Sequence, residues 1–377
     1  MKIAINCAFF QPRGGGIAEY IRNLVSNVEK IDTEDEYILY VLEDIEQYAR
    51  DNMPSRFRIK TIPYTVSYRD KIKRSLFEQR FWSNEEETER FDIYHSPFFH
   101  SPHFKKAKVI ITVHDLRFYR FPRTYTFPRY VFLKYKVRKS VKAADHIITI
   151  SAFTKSELMD AYKLPSEKIT VIHEAINRER FSRETPESAI HFDNVNLTGA
   201  DYVLSVGHIE PRKNYERLMV AFEKMKETNA FPNLKLVIVG KKDNHCKRVL
   251  KMVNELPDVV YLNFVSHDQL LWLYRHAKLF VFPSFYEGFG FPPLEAGCLG
   301  AISAVSNVSS MPEVCGDAVA YFNPYDVDEM ASVMARCLSD EKYRLELRER
   351  MNQQLDIFSW RDNAVETVAI YKKVVTC

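Results

Sequence analysis

The sequence predicts two doubly wound α/β domains, each built on a parallel sheet, facing one another across a cleft. Short β-branched runs alternate with helical patterns along the whole chain. Those runs are almost continuously apolar, as strands covered on both faces must be. A polar stretch near the middle, "RERFSRETPESAIHFDNVNLTG" at 178–199, splits the alternation into two series. At 377 residues the chain also exceeds the size at which a single core stops growing.

In order, the first series places strands at "KIAIN", "EYILYVL", "FRIKTIP", "DIYHS", "KVIITVH", "HIITIS" and "ITVIH". The second places them at "YVLSVG", "LKLVIVG", "VVYLNF", "LFVFPS", "AISAV" and "AVAYF", with helices such as "NYERLMVAFEKMKE" and "HDQLLWLYRHA" between. A last helix follows "FSW". The expected division is a first domain over 1–180, a linker over 181–199, a second domain over 200–357 and a closing helix over 358–377. Neither an internal repeat nor a low-complexity segment interrupts the pattern.

Composition narrows the function classes. Hydrophobic residues make up 46% of the chain and charged residues 27%, the balance of an ordinary globular protein. A net charge of +3 is too small to argue for nucleic acid. Six scattered cysteines form neither a CxxC pair nor a metal-type spacing, which suits a reducing compartment. "MKIAINCAFFQP" is too short in its apolar run for a signal peptide, and no apolar stretch reaches membrane-spanning length. The expectation is a cytoplasmic protein.

Ligands of doubly wound sheets bind beyond the carboxyl ends of the strands, so the residues there carry the functional reading. "YEGFGFPPLEAG", at 286–297, follows the strand "LFVFPS" and sets Glu287 and Glu295 eight positions apart. Pro292 and Pro293 suit the first turn of a helix, where a missing N–H costs nothing. This puts Glu295 in the helix's opening turn, while Gly288 and Gly290 let backbone approach a ligand. Taken alone, Glu295 equally suits a partner for the helix dipole, and Glu287 a solvated loop acid.

A second strand, "YVLSVG", runs into "HIEPRKN". Arg212 and Lys213 there stand at a helix start, a poor place for cations unless an anion is present, and a guanidinium beside an ammonium suits a diphosphate. A solvated basic turn is the other reading. His114 closes "KVIITVH", where a satisfied core histidine is the favoured account when it is taken alone. Gly14, Gly15 and Gly16 make a tight turn before a helix but match neither GxGxxG nor a Walker motif.

With these strand ends in place, the chain resembles the GT-B glycosyltransferases of family 4. The marks are strongest over about 202–323: "GHIEPRKN", "DQLLWLYRHAKLFVFPSFYEGFGFPPLEAG" and "SNVSSMPEVCGDAVAYFNP". "GGGIAEY", "DIYHSP", "TVHDL" and "ADHIITISAFTKSEL" extend it over the first half. It departs at "GAIS", 300–303, where the family carries Gly-x-Pro-Val.

The resemblance implies transfer of a hexose from a nucleotide sugar with retention of configuration, mannose from GDP-mannose being the preferred donor and a UDP-sugar the alternative. It implies that Arg212 and Lys213 hold the diphosphate, that Glu295 binds the ribose hydroxyls and that Glu287 meets the donor sugar. The loop Gly288, Phe289, Gly290, Phe291, with Leu294 behind it, would fix sugar and phosphate. From the first, acceptor-side domain, Gly15 and Gly16 would close on the phosphates and His114 would lie near the reacting carbon, with Ser151 lining the cleft. The base would lie against Phe264 and Val265. The closing helix would cross back to the first domain, and the acceptor would be a surface polysaccharide or lipid-linked glycan such as an O-antigen. No DxD pair stands at a strand end, so no metal or other cofactor is expected. "DVD" at 326–328 suits a helix cap better.

Two other classes stay in view. A glycosidase would use Glu287 and Glu295 as its acid pair but needs no phosphate clamp. A non-catalytic carbohydrate binder would not need the motif acids together with His114. Residues 117–142 hold nine basic residues, many aromatics and no acid. They read either as a solvated basic helix or as a surface lying on the anionic inner face of the cell membrane, well ahead of single-stranded nucleic acid.

Overall fold

The structure is a computed structural model; it describes residues 1–377 except 13, 64–70, 182–191, 193, 194, 244 and 377, and except the side chains of 71–76. Contacts divide the chain into two units, Met1–Ala175 with Ser359–Cys377, and Ile176–Phe358.

The first unit is a seven-stranded parallel sheet in the order β3-β2-β1-β4-β5-β6-β7. Its strands are β1 Lys2–Asn6, β2 Glu36–Leu42, β3 Arg58–Ile62, β4 Ile93–Ser96, β5 Lys108–Val113, β6 His146–Thr149 and β7 Ile169–Val171. Between them lie α1 Gly16–Ile31, α2 Glu46–Asn52, α3 Lys71–Glu89, α4 Arg117–Arg120, α5 Phe127–Ala143 and α6 Ala152–Tyr162. All seven predicted strands are present, shortened where turns begin. β2 and β5 are buried almost end to end, which explains why apolar residues run through them without alternation. α1 buries Ile21, Leu24, Val25 and Val28, the i, i+3, i+4, i+7 stripe of a helix lying on a sheet.

The second unit is a six-stranded parallel sheet in the order β10-β9-β8-β11-β12-β13. Its strands are β8 Tyr202–Val206, β9 Lys235–Val239, β10 Val259–Leu262, β11 Leu279–Phe282, β12 Ser303–Ser306 and β13 Ala320–Phe322. The helices are α7 Tyr215–Glu227, α8 Lys247–Glu255, α9 His267–His276, α10 Phe291–Cys298, α11 Met311–Cys315, α12 Val327–Ser339 and α13 Glu341–Gln354. Its core packs Phe222 of α7 and Met334 of α12 against Leu236, Val281 and Phe322 of the sheet. Local chemistry sets the helix starts. Ser266 and Gln269 form a reciprocal capping box on α9, and Asp326 of "DVD" accepts from the Asp328 and Glu329 amides at the start of α12.

The last helix, α14 Trp360–Thr376, packs within the first unit. The Tyr371 hydroxyl is 2.7 Å from His95 Nδ1, and Asn363 Nδ2 donates to the His173 carbonyl at 2.8 Å. The expected linker, 181–199, lies largely outside the described residues. Arg178, assigned to the first domain, already pairs with Asp356 of the second unit at 3.0 Å, and Phe181, the first residue of the expected linker, is buried there with its ring 6.2 Å from His267. Polarity marks where the chain leaves the first sheet less sharply than these contacts do.

Candidate functional site

In the second unit the strand order reverses between β8 and β11, where an open parallel sheet leaves a crevice beyond its carboxyl ends. Two loops meet there. The one after β8 forms a single 3-10 turn, Pro211–Lys213, and ends at Asn214, whose φ of +59° is left-handed. Asparagine tolerates that region, and its Nδ2 donates to the carbonyls of Pro283 and Pro324, joining the loops after β11 and β13. The loop after β11 is bound to the first through the Phe285 amide, which donates to the Arg212 carbonyl at 2.9 Å.

Across this junction Arg212 Nη1 is 2.6 Å from Glu287 Oε2, and Lys213 Nζ is 2.7 Å from Glu287 Oε1. Arg212 also donates to the Tyr286 carbonyl and, through Nη2, to Glu210 Oε1, both at 2.6 Å. The side chains of Arg212, Lys213 and Glu287 are only 11%, 9% and 11% exposed. Two cations therefore face two acids in a nearly dry cluster, a balance that burial requires. Burial alone would raise the Glu287 carboxyl, but Arg212 and Lys213 hold it down to about 2. Burial makes Lys213 less basic than usual, with Glu287 pulling the other way and Arg212 adding to the loss. A glycosidase acid must hold its proton near neutral pH, and Glu287 here cannot.

The segment after Glu287 is braced from β12. Ser310 Oγ donates to the carbonyls of Glu287 and Phe289, and Ser309 Oγ accepts from the Glu287 amide. Gly290 caps α10 with φ +102°, and a Cβ there would lie 2.0 Å from Met311 Cε. α10 begins at Phe291, so Glu295 falls in its second turn rather than the opening one expected. The dipole account of this acid lapses with that shift, because the effect fades beyond the first turn. Glu295 is half-buried and accepts from the Tyr274 hydroxyl at 2.9 Å. Phe289 and Leu294 are buried, so of these two only backbone can meet a ligand. Phe264, by contrast, is 67% exposed just past β10, with Lys241 Nζ 5.8 Å from its ring centre, and Val265 beside it is half-buried.

The remaining expected residues belong to the first unit. Gly15 is the N-cap of α1 and Gly16 its first residue, both exposed. His114 follows β5, with Nδ1 3.1 Å from Glu174 Oε1 and Nε2 3.1 Å from the Pro97 carbonyl. Acceptors on both sides suit an imidazolium: burial lowers the His114 pKa, but Glu174 and the Pro97 carbonyl raise it above the ordinary value. Ser151 is fully buried and caps α6 by accepting from the Thr154 amide, which corrects the expectation that it lines a cleft. α5 turns Phe127, Val131 and Tyr135 to solvent along one stripe, beside Lys134, Arg138 and Lys142. Among the described residues no helix is long and apolar enough to cross a membrane, and no cluster of acids, histidines or cysteines could hold a metal ion.

Glu210, Asn214, Tyr274, Ser309, Ser310 and Glu174 were missed in the sequence. All but Glu174 stood in stretches already singled out: Glu210 and Asn214 in "GHIEPRKN", Tyr274 in "DQLLWLYRHAKLFVFPSFYEGFGFPPLEAG", and Ser309 and Ser310 in "SNVSSMPEVCGDAVAYFNP".

Comparison with known proteins gives the family and the fold. Two family models match, glycosyltransferase family 4 over residues 14–180 and glycosyl transferases group 1 over residues 187–354. O-antigen chain mannosyltransferase B of Escherichia coli is 31% identical over 282 residues, 74% of this chain and 74% of that protein. Serotype-specific mannosyltransferase WbdA of Escherichia coli is 34% identical over 230 residues, 59% of this chain but only 28% of that protein. A sucrose-phosphate synthase from Thermosynechococcus elongatus has the same fold, with a TM-score of 0.75 over 100% of this chain and 99% of that one at 17% identity.

Proposed function

The chain belongs to the family 4 glycosyltransferases, and on that premise we propose that it moves mannose from GDP-mannose, with retention, onto a growing surface polysaccharide or lipid-linked glycan such as an O-antigen. The observation that carries this is the buried Arg212–Lys213 pair at the carboxyl end of β8, held against the loop that follows β11. The choice of mannose and of O-antigen follows the printed activity of the 31% identical relative.

In this reading the four-residue cluster exchanges partners. Glu287 spans both cations. An arriving diphosphate takes them over, and the released carboxylate turns to hydroxyls of the donor sugar. As the glycosyl–phosphate bond breaks, negative charge grows on the leaving oxygen and the sugar becomes oxocarbenium-like. Fixed cations aimed at that oxygen are the largest catalytic term such a site can supply. They also do the work of a metal ion, so transfer should survive EDTA. Glu295 receives the ribose hydroxyls, since a carboxylate accepts two hydrogen bonds from a vicinal diol. Phe264 stacks on the base. On the family resemblance, Gly15 and Gly16 would meet the phosphates through backbone, and His114, oriented by Glu174, would act near the reacting carbon.

Thermal shift with GDP, UDP and ADP tests the donor assignment, because a ligand that binds only the folded state raises its melting temperature. GDP should stabilise most. Equal silence with all three would end the reading, and a preference for UDP would replace the donor. The exposed stripe on α5 supports a peripheral seat on an anionic membrane, each nearby cation contributing about 1 kcal/mol. Vesicles containing anionic lipid should retain the protein at low salt and release it at high salt; no retention removes that seat.

A further inference from the structure

A row of buried polar groups runs through the first unit without touching the donor. Tyr371 of α14, His95 of β4, Thr112 of β5 and Tyr20 of α1 are each at most 1% exposed. The Tyr371 hydroxyl is 2.7 Å from His95 Nδ1, and His95 Nε2 is 2.9 Å from Thr112 Oγ1. Thr112 Oγ1 is in turn 3.2 Å from the Tyr20 hydroxyl. Burial lowers the His95 pKa to about 3, with His114 adding to the effect, so the ring is neutral. It carries one N–H and one lone pair, and Tyr371 and Thr112 play opposite hydrogen-bond roles toward it. The row ends on His114, whose ring centre lies 4.9 Å from that of Tyr20 at 87°. Trp360, at the start of α14, has its ring 5.9 Å from the same tyrosine.

We propose that Tyr20 is a positioning residue for His114, and that Tyr371 of the last helix fixes Tyr20 through His95 and Thr112. This rests on the transferase reading, in which His114 acts near the reacting carbon, and adds what aims it. Glu174 at Nδ1 and the Pro97 carbonyl at Nε2 hold the imidazole within its own plane. Two such bonds leave tilt out of that plane as the softest motion of the ring. A perpendicular ring in contact restrains the tilt, and edge-on packing is a favoured arrangement for aromatic pairs. Tyr20 must then be fixed itself. Its hydroxyl meets Thr112, two residues before His114 in the chain, and Thr112 is shared with His95. Phenylalanine and valine at these places would keep the packing with no polar group to satisfy. A bonded polar row selects one arrangement instead, because displacing any member leaves a buried group without its partner. α14 thus reaches His114 by two routes, the row from Tyr371 and the Trp360 ring against Tyr20.

The test compares Tyr371→Phe, Tyr20→Phe and Thr112→Val with Tyr40→Phe, which deletes another buried hydroxyl of the first unit, bonded to Glu85 at 2.8 Å. In mannosyl transfer from GDP-mannose the first three should lose about tenfold in kcat, since a small misplacement of a positioned group already slows the reaction. Donor and acceptor KM and the GDP-induced thermal shift should hold. The His114 Cε1–Hε1 NMR signal should move in Tyr371→Phe, although the change is made beyond His95. Tyr40→Phe should alter neither kcat nor that signal. The double variant Tyr371→Phe/Tyr20→Phe should be no slower than the slower single one, because both break the same row. Fully additive losses overturn the inference, as does a Tyr371→Phe protein with the wild-type signal and kcat. A drop in melting temperature alone, matched by Tyr40→Phe, overturns it too. If His114→Ala turns over as fast as the wild type, the role given to His114 fails and this inference falls with it. If His114→Ala is inactive while the row variants are not slowed, this inference fails alone.

Discussion

Replacing Lys213 by alanine should separate what this cation does for the fold from what it does for the reaction. Its Nζ is 2.7 Å from Glu287 Oε1, and both side chains are about nine-tenths buried, at 9% and 11% exposure. Breaking a buried ion pair costs about 3–5 kcal/mol when the surviving charge is left alone. Glu287 keeps Arg212 at 2.6 Å on its other oxygen, so the expected loss is smaller, about 1–3 kcal/mol. For a unit of this size that lowers the melting temperature by about 3–10 °C. The protein stays folded, because domain stabilities run to about 5–15 kcal/mol.

The effect on transfer is larger. Removing one fixed positive group from a developing charge costs about 3–4 kcal/mol, which is a fall of about 10²–10³ in kcat. The assay is mannosyl transfer from GDP-mannose, with kcat and donor KM taken separately, beside a melting curve. The double variant Lys213→Ala/Glu287→Gln sharpens it. Lys213→Ala alone leaves one cation facing two acids, whereas the double variant leaves Arg212 facing Glu210 and restores balance. Melting temperature should therefore recover in part while transfer does not. A folded Lys213→Ala protein turning over within about threefold of wild type would refute the clamp, since a contact to the leaving oxygen is worth about a hundredfold or more.

Three further outcomes follow from the same geometry. The Glu287 carboxyl sits at about 2 in the folded chain against an ordinary 4.5; the unfolded chain takes its proton first, so the stabilisation is complete above about 4.5 and drains as pH falls toward 2. Chemical denaturation across that range should show the loss, and Glu287→Gln should flatten it. Glu174→Gln removes the carboxylate that, against burial, holds His114 above its ordinary value of 6.5; the His114 ring should titrate above 6.5 by NMR in the wild type and below it in the variant. The wild-type pair stabilises the fold at low pH and loses that contribution as pH rises through the His114 midpoint. Gly290→Ala should cost about 1–3 kcal/mol from backbone strain at φ +102°, and trimming Met311 to alanine should relieve the clash with the new Cβ but leave that strain in place.

Much of this molecule was legible before its fold was known, for identifiable reasons. Parallel strands covered on both faces leave continuous apolar runs, so all thirteen were visible, as was the Asp326 cap, whose bonds reach only two and three residues ahead. Glu295 was misplaced by a short step because Gly290, not Pro292, sets the start of α10. Ser151 misled because a serine ending a strand looks the same whether it faces a ligand or turns back to cap the next helix.

The partnership of Glu287 with Lys213 was hidden for a different reason: 74 residues separate the two. What joins them is the sheet order. β8 pairs directly with β11, Leu204 opposite Phe280, although β9 and β10 intervene in the chain. Two loops that are distant in sequence thus leave adjacent strands at the same end and have to meet. A motif in each loop could be read as a phosphate clamp or as a sugar contact, but only the pairing makes them one charge-balanced unit, in which one acid holds both cations. His114 and Glu174 repeat the pattern in the first unit, where a residue past β5 is fixed by one past β7 that no local signal announces. In both units the chemistry at a strand end is set by a neighbouring loop, and a single loop read alone gives the residue without its charge state.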